Sequence, residues 1–224
     1  MMTAGLASCG GGQRQDVTES SGSFPVQVTR AKFSKEQQLA ETSYLELAVK
    51  NVGRETVPNL TVTIFTLGTN RSESARTKGI PTSTGSGQGS FNVRLSEPNL
   101  ANPNRPVWIL ESRYPKLLSP PAVTLKNVDQ APSVGAVAAQ ADTFQFGPVK
   151  PGDSKDIVWQ LTAVRAGTYT VHYEISAGLS GKAKAVTQDG NPVKDQLSVT
   201  VSSKVPPSCV TGTGQVLEKA RCPD

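Results

Sequence analysis

The side chains able to do chemistry are few and scattered. The only histidine, His172, stands between Val171 and Tyr173, and alternation puts it with Thr170 and Glu174 on the polar side of a strand. No serine or cysteine motif announcing a nucleophile accompanies it, so a solvated strand histidine is the expectation. Asp153 and Asp156 flank one turn, and Asp189, Asn191 and Asp195 surround a later one. Carboxylates at such places accept from backbone N–H groups, and neither set has the spacing of a calcium loop. Gly85-Ser-Gly-Gln-Gly89 lacks the Gly-Lys-Ser/Thr ending of a phosphate loop and has no strand–helix context. There is no CxxC, and no zinc set of four Cys and His ligands is expected. The reading is of a chain with no catalytic residue, no metal and no cofactor.

Charge and aromatic rings offer binding instead. The formal net charge is +5, and residues 70 to 116 carry most of it: Arg71, Arg76, Lys78, Arg94, Arg105, Arg113 and Lys116 stand against Glu73, Glu97 and Glu111. Within that run Arg105, Trp108, Arg113, Tyr114 and Lys116 are the candidate binding residues. Rings beside cations suit an anionic or sugar-bearing polymer through stacking and charge. The competing reading packs Trp108 into the core with Val107, Ile109 and Leu110. The charge is too modest for nucleic acid to be the expected partner.

Three cysteines are an awkward number in a secreted protein unless one is chemically occupied. Leu6-Ala7-Ser8-Cys9, followed by Gly10-Gly-Gly12, resembles the lipobox of bacterial lipoproteins, and the resemblance implies that Cys9 is lipidated. Gly10 to Ser23 is polar and without apolar period, which suits a flexible tether. A signal peptide needs an apolar stretch of about 7 to 15 residues, so the lipobox reading expects a start upstream of Met1, with residues 1–9 the remnant of the signal. The other reading is an ordinary N-terminus with one exposed cysteine. Cys209 and Cys222 close a segment in which Val210 to Val216 can turn back as a hairpin through its glycines. A disulfide between them is the expectation in an exported protein, and cross-linking such a loop contributes roughly 3 kcal/mol in the chain-entropy model.

The elements that must carry these residues read as strands. In Tyr44 to Thr66, Leu45, Leu47 and Val49 share one face and Leu60, Val62 and Ile64 another, giving a strand, a turn and a second strand. Asn51 and Gly53 are expected to supply positive φ where the chain turns. Phe24, Val26 and Val28 alternate, but Ala31 and Phe33 have the opposite phase, which predicts a bulge or a change of sheet near Arg30. Lys35 to Ala40 is read as one helical turn. Residues 68 to 141 are read as an insertion rich in Ser, Thr, Gly, Asn, Pro and Ala, carrying short strands at Phe91 to Leu95, Pro106 to Leu110 and Val123 to Leu125. Strands follow at Phe144 to Phe146, through Ile157, Trp159 and Leu161, through Tyr169 to Ile175, at Lys182 to Thr187, and through Leu197 to Val201. At 224 residues the chain can bury roughly 70% of its unfolded surface without staples. Aromatics at 5% with abundant Gly, Pro, Ser and Thr are the composition of short strands and many turns. The fold class is therefore all-β: an antiparallel immunoglobulin-like β-sandwich over residues 24–203 with long loop insertions, a tether over 10–23, and a disulfide-closed tail over 204–224.

Leu45 to Gly53 with Asn59 to Ile64, then Val149-Lys-Pro-Gly-Asp-Ser154 through Trp159 to Gly167-Thr-Tyr-Thr-Val171, resemble the CARDB-type domains, cell-adhesion-related immunoglobulin-like modules of bacterial surface proteins. The likeness covers residues 24 to 66 and 143 to 202. Gly167-Thr-Tyr169 fits a tyrosine corner, with the Tyr169 hydroxyl bonded back to the preceding connection. The family carries no catalytic residues, so the resemblance implies binding or display. Two readings follow. One is an extracytoplasmic module tethered to the bacterial cell membrane, with no chemistry of its own, binding an anionic envelope polymer or a protein. The other is a solute-binding lipoprotein or an enzyme with its site in 68–141. The second requires a convergent acid–base set, and the sequence has none, so the first is preferred.

Overall fold

The alternating segments fold as strands in a computed structural model that describes residues 20–66, 92–93, 107–111, 115–132, 143–206, 208–210 and 216–218. In chain order they are β1 (Gly22–Lys32), β2 (Glu36–Gln38), β3 (Thr42–Asn51), β4 (Thr61–Thr66), β5 (Asn92–Val93), β6 (Trp108–Leu110) and β7 (Lys116–Leu118). A 3₁₀ helix, Leu125–Gln130, separates these from β8 (Thr143–Gln145), β9 (Ser154–Ala163), β10 (Gly167–Ser176), β11 (Ala183–Val186), β12 (Val193–Ser202), β13 (Ser208–Val210) and β14 (Val216–Glu218). One sheet runs β11-β1-β3-β9-β6-β5, with β7 also on β9; the other runs β2-β12-β10-β4-β8; β13 and β14 pair by themselves. The immunoglobulin-like sandwich expected from the alternation is thus present. Its long pairings are antiparallel, whereas β1 with β11, β12 with β2 and β5 with β6 are parallel.

The strands expected on either side of residue 53 both form but do not pair with each other. β3 lies between β1 and β9, and β4 between β10 and β8, so Leu45, Leu47 and Val49 face Leu60, Val62 and Ile64 across one core. The crossing between sheets is built on Asn51, which is buried. Its Nδ2 donates to the carbonyls of Glu55 and Val149, both at 2.8 Å, and its Oδ1 accepts from the Gly53 N–H at 2.9 Å. A short side chain thereby holds the corner that two strands of a hairpin would otherwise share. Glycine at position 53 serves closeness and not positive φ: a Cβ there would sit 2.9 Å from Pro25 Cδ.

The phase change in β1 is a register shift between Val28 and Arg30. It lets Phe24 and Val26 fill the core before the bulge and Phe33 after it. The segment read as a helical turn, Lys35 to Ala40, instead contains β2, parallel to Thr200–Ser202. The physical reason is Gln37: extended backbone points its amide inward, where Oε1 accepts from the Trp108 indole N–H at 2.7 Å.

Part of the expected insertion is built into the sandwich. β6 and β7 lie one after the other along the same edge of β9, pairing with Leu161–Ala163 and Asp156–Val158. Beyond β7 the chain covers the outer face of that sheet, where Leu118 and Val128 pack on Val158 with Tyr44, Val123 and Leu125 around them. The strand expected at Val123 to Leu125 is reduced to a bridge from Ser119 to Val123 and the start of the 3₁₀ helix, which Asn127 Oδ1 anchors by accepting from the Thr124 N–H at 2.8 Å. This cover explains why Glu46, on the polar phase of β3, is nonetheless buried. Arg30 lies against it, with Nε 3.4 Å from Glu46 Oε2 and Nη2 3.1 Å from Asp156 Oδ2.

Candidate functional site

Of the five residues expected to bind, two lie within the described residues, and they are not together. Trp108 is fully buried. Its ring packs on Phe33 at 5.4 Å and edge-on to Tyr169 at 5.5 Å, and its N–H is taken by Gln37. It is a core residue and presents no face to a ligand, because a three-residue strand on β9 has one side turned inward and Trp108 is on it. Lys116 is half-exposed, and its Nζ donates to the Asp129 carbonyl at 3.0 Å. Arg105, Arg113 and Tyr114 lie outside the described residues, as do Cys9 and Cys222. Cys209 falls in β13 opposite Leu217, so the expected terminal hairpin forms, while its pairing with Cys222 lies outside the described residues.

His172, Asp153 and Asp156 do not converge on one site. His172 takes the outer face of β10, as alternation requires, and its ring stacks on Phe65 at 5.0 Å and 15°. Asp156 belongs to Arg30. Asp153 is exposed in the turn before β9, where its carbonyl accepts from the Asn51 N–H at 2.9 Å. The tyrosine corner is present: Tyr169 Oη donates to the Ala166 carbonyl at 2.8 Å and accepts from Arg165 Nε at 3.2 Å. It ties β10 to its own approach and positions the neighbouring Trp108.

The concavity the strands do build is elsewhere. A groove of about 510 Å³ runs between Val26 to Ala31 of β1 on one side and Thr187 to Asp189 with Pro192 to Asp195 on the other, with Tyr173 in its wall. It exists because β11 and β12 part company. Val186 and Pro192 still bridge, and the Thr187 N–H donates to the Asn191 carbonyl at 2.8 Å, but β11 stays on β1 while β12 crosses to β10. The signal for it was in the sequence. Asp195 shares the alternation phase of Val193, Leu197, Val199 and Val201, so a carboxylate stands where an apolar residue belongs if that side were closed. In register it sits opposite Tyr173.

Tyr173 is 4% exposed, and its phenol pKa is pushed up to about 12, first by burial and second by the charge of Asp195. The folded state therefore holds this proton more tightly than the unfolded chain. The stability linked to it is complete below pH of about 10 and is lost as pH rises from there through about 12. Phenolate absorbance should show Tyr173 ionising late, and Asp195→Asn should bring that late step down part of the way. A Tyr173 that ionises near pH of about 10 would contradict this placement.

No family model matches the chain, and no curated protein matches it. Among solved structures, the CARDB domain of a Pyrococcus furiosus protein, solved in complex with di-metal ions, is 11% identical over 83% of this chain and 100% of that chain, with a TM-score of 0.39. A cohesin module of a Clostridium perfringens family 33 glycoside hydrolase is 8% identical over 81% and 98%, with a TM-score of 0.38. A human ASH/PapD-like domain is 10% identical over 92% and 99%, with a TM-score of 0.33.

Proposed function

We propose that the chain is a non-catalytic binding module of the bacterial cell envelope, held to the membrane by lipid on Cys9 and engaging another envelope protein. The observation that supports binding is the groove beside β1: one wall is β1 and the other is the turn after β11 with the start of β12, a turn closed by its own backbone hydrogen bonds, so a partner meets a surface already in shape and little ordering cost opposes association. Tethering is supported by Leu6-Ala7-Ser8-Cys9 and the polar run after it. An anionic envelope polymer is the second reading, favoured by the basic excess in residues 70 to 116.

One experiment separates these. The chain, placed behind a lipoprotein signal sequence, is expressed in cells fed a palmitate analogue, with a photo-crosslinking residue at Gln27 or at Lys116. Label that disappears in Cys9→Ser and a protein adduct from Gln27 are the expected results. Replacing Arg105, Arg113 and Lys116 by Glu should leave that adduct unchanged. Loss of the adduct in the triple variant would favour the polymer reading, and an unlabelled, freely soluble chain would overturn the tether.

A further inference from the structure

β11 pairs with β1 only from Gly22 to Pro25, whereas β1 runs on to Lys32. From Gln27 onward β1 has β3 on one side and, among the described residues, no strand on the other. The facing strand is similar: β12 meets β2 only at Thr200–Ser202, and before that its edge away from β10 is also without a strand among the described residues. The groove is therefore the continuation of the β11 lane, left empty. At about 3.3 Å per residue, residues 27 to 32 span roughly 17 Å, room for a strand of about five residues. Half-buried Val28, Ala31 and Leu197 lie against the core at this side of the sandwich. An open lane of backbone donors and acceptors over apolar side chains fits an extended polypeptide.

Charge identifies what kind. The groove is lined by Arg30, Lys194, Asp189 and Asp195. Arg30 is tied to Glu46 and Asp156, and Lys194 stands in register with Glu174 on the other phase of β12. Asp189 and Asp195 are exposed, and neither has a salt bridge among the described residues. Pairing of β1 with the β1 of a second copy is disfavoured, because a bulge at Val28/Arg30 and a lysine at 32 are the features that blunt an edge against long edge-to-edge pairing. A short segment crosses the same bulge and lysine, but needs pairing over only about five residues.

We propose that residues 27–32 of β1 accept, as an added strand, a short extended segment of a partner protein that is apolar at alternate positions and carries a Lys or Arg meeting Asp189 and Asp195. This rests on the binding-module reading above and specifies its partner.

The test uses the full chain and a panel of fluorescent seven-residue peptides of alternating Val and Thr, with Lys at either end or absent, read by anisotropy. Peptides with a terminal Lys should bind. N-methylation of alternate peptide N–H groups, which removes ladder donors without touching the protein, should weaken binding at least tenfold in one of the two phases. Asp189→Asn with Asp195→Asn should weaken the Lys peptide by about tenfold, the worth of a charge-assisted bond, and flatten its salt dependence near about 0.15 M. No binding by any peptide, or equal binding by both N-methylated forms, overturns strand addition. So does a concentration-dependent dimer cross-linked through Gln27→Cys, or binding that is gained only when residues 1–19 are removed. If the Gln27 photo-adduct in cells persists while strand addition fails, the module reading stands without this mechanism. If both fail, the module reading falls as well.

Discussion

Replacing Trp108 by alanine is expected to destabilise the protein by about 5 kcal/mol, enough to leave little folded chain. Deleting a fully buried indole costs about 3 to 5 kcal/mol through lost transfer energy and the cavity left behind. Here it also leaves the buried Gln37 Oε1 without its donor, and an orphaned polar group adds about 1 to 3 kcal/mol. A domain with a total stability of about 5 to 15 kcal/mol has little to spare. Trp108→Phe separates the two terms, because it keeps a ring against Phe33 and Tyr169 and loses only the donor. It should cost about half as much, and adding Gln37→Leu to it should cost less than the two single changes sum to, since the two side chains share one bond. Urea melts of the four chains test the set. A Trp108→Ala protein with an unchanged midpoint would return this residue to the surface, where the run Arg105 to Lys116 first suggested it.

Gly167→Ala should cost about 3 kcal/mol, although the side chain gained is one methyl. Gly167 has φ of +144°, a conformation whose cost for other residues is of order 1 to 3 kcal/mol. A Cβ there would also lie 2.7 Å from Tyr169 Oη and 3.0 Å from Cζ. The ring has little room to retreat, because its hydroxyl is held by the Ala166 carbonyl and its edge by Trp108. Tyr169→Phe, which removes the hydroxyl alone, should cost about 1 kcal/mol. In the double variant the worst contact is gone while the backbone strain stays, so the losses should be less than additive. Denaturant midpoints settle the order. Strict additivity would mean that the glycine and the tyrosine do not share one corner.

The same two sites show how far the chain was legible beforehand. Gly167-Thr-Tyr169 is a local pattern, and its corner stands where the spacing put it. The phase reversal at Arg30 likewise became a register shift, and the alternating residues of β3, β4, β9, β10 and β12 face the core as read. Alternation with a period of two is a property of one strand, so one strand's residues suffice to reveal which face is buried.

Which strand lies beside which is decided elsewhere. β3 and β4 read as neighbours and went to opposite sheets, because the buried Asn51 holds the corner against Val149, some hundred positions on, a contact that no window of sequence contains. Lys35 to Ala40 reads as a helical turn because the stretch is polar; Trp108, the partner that holds Gln37 in a strand, is 71 residues away. The groove is of the same kind. Its acidic residue Asp195 could be seen out of place on β12, but the empty lane beside it follows from the length of β11 relative to β1 and from the sheet each enters. By itself the sequence determined the long strands and which of their faces is apolar, which are set by local backbone geometry. The choice of neighbours, the covered outer face and the open edge were decided by the tertiary structure, since they depend on contacts between distant segments competing for the same hydrogen bonds and the same core.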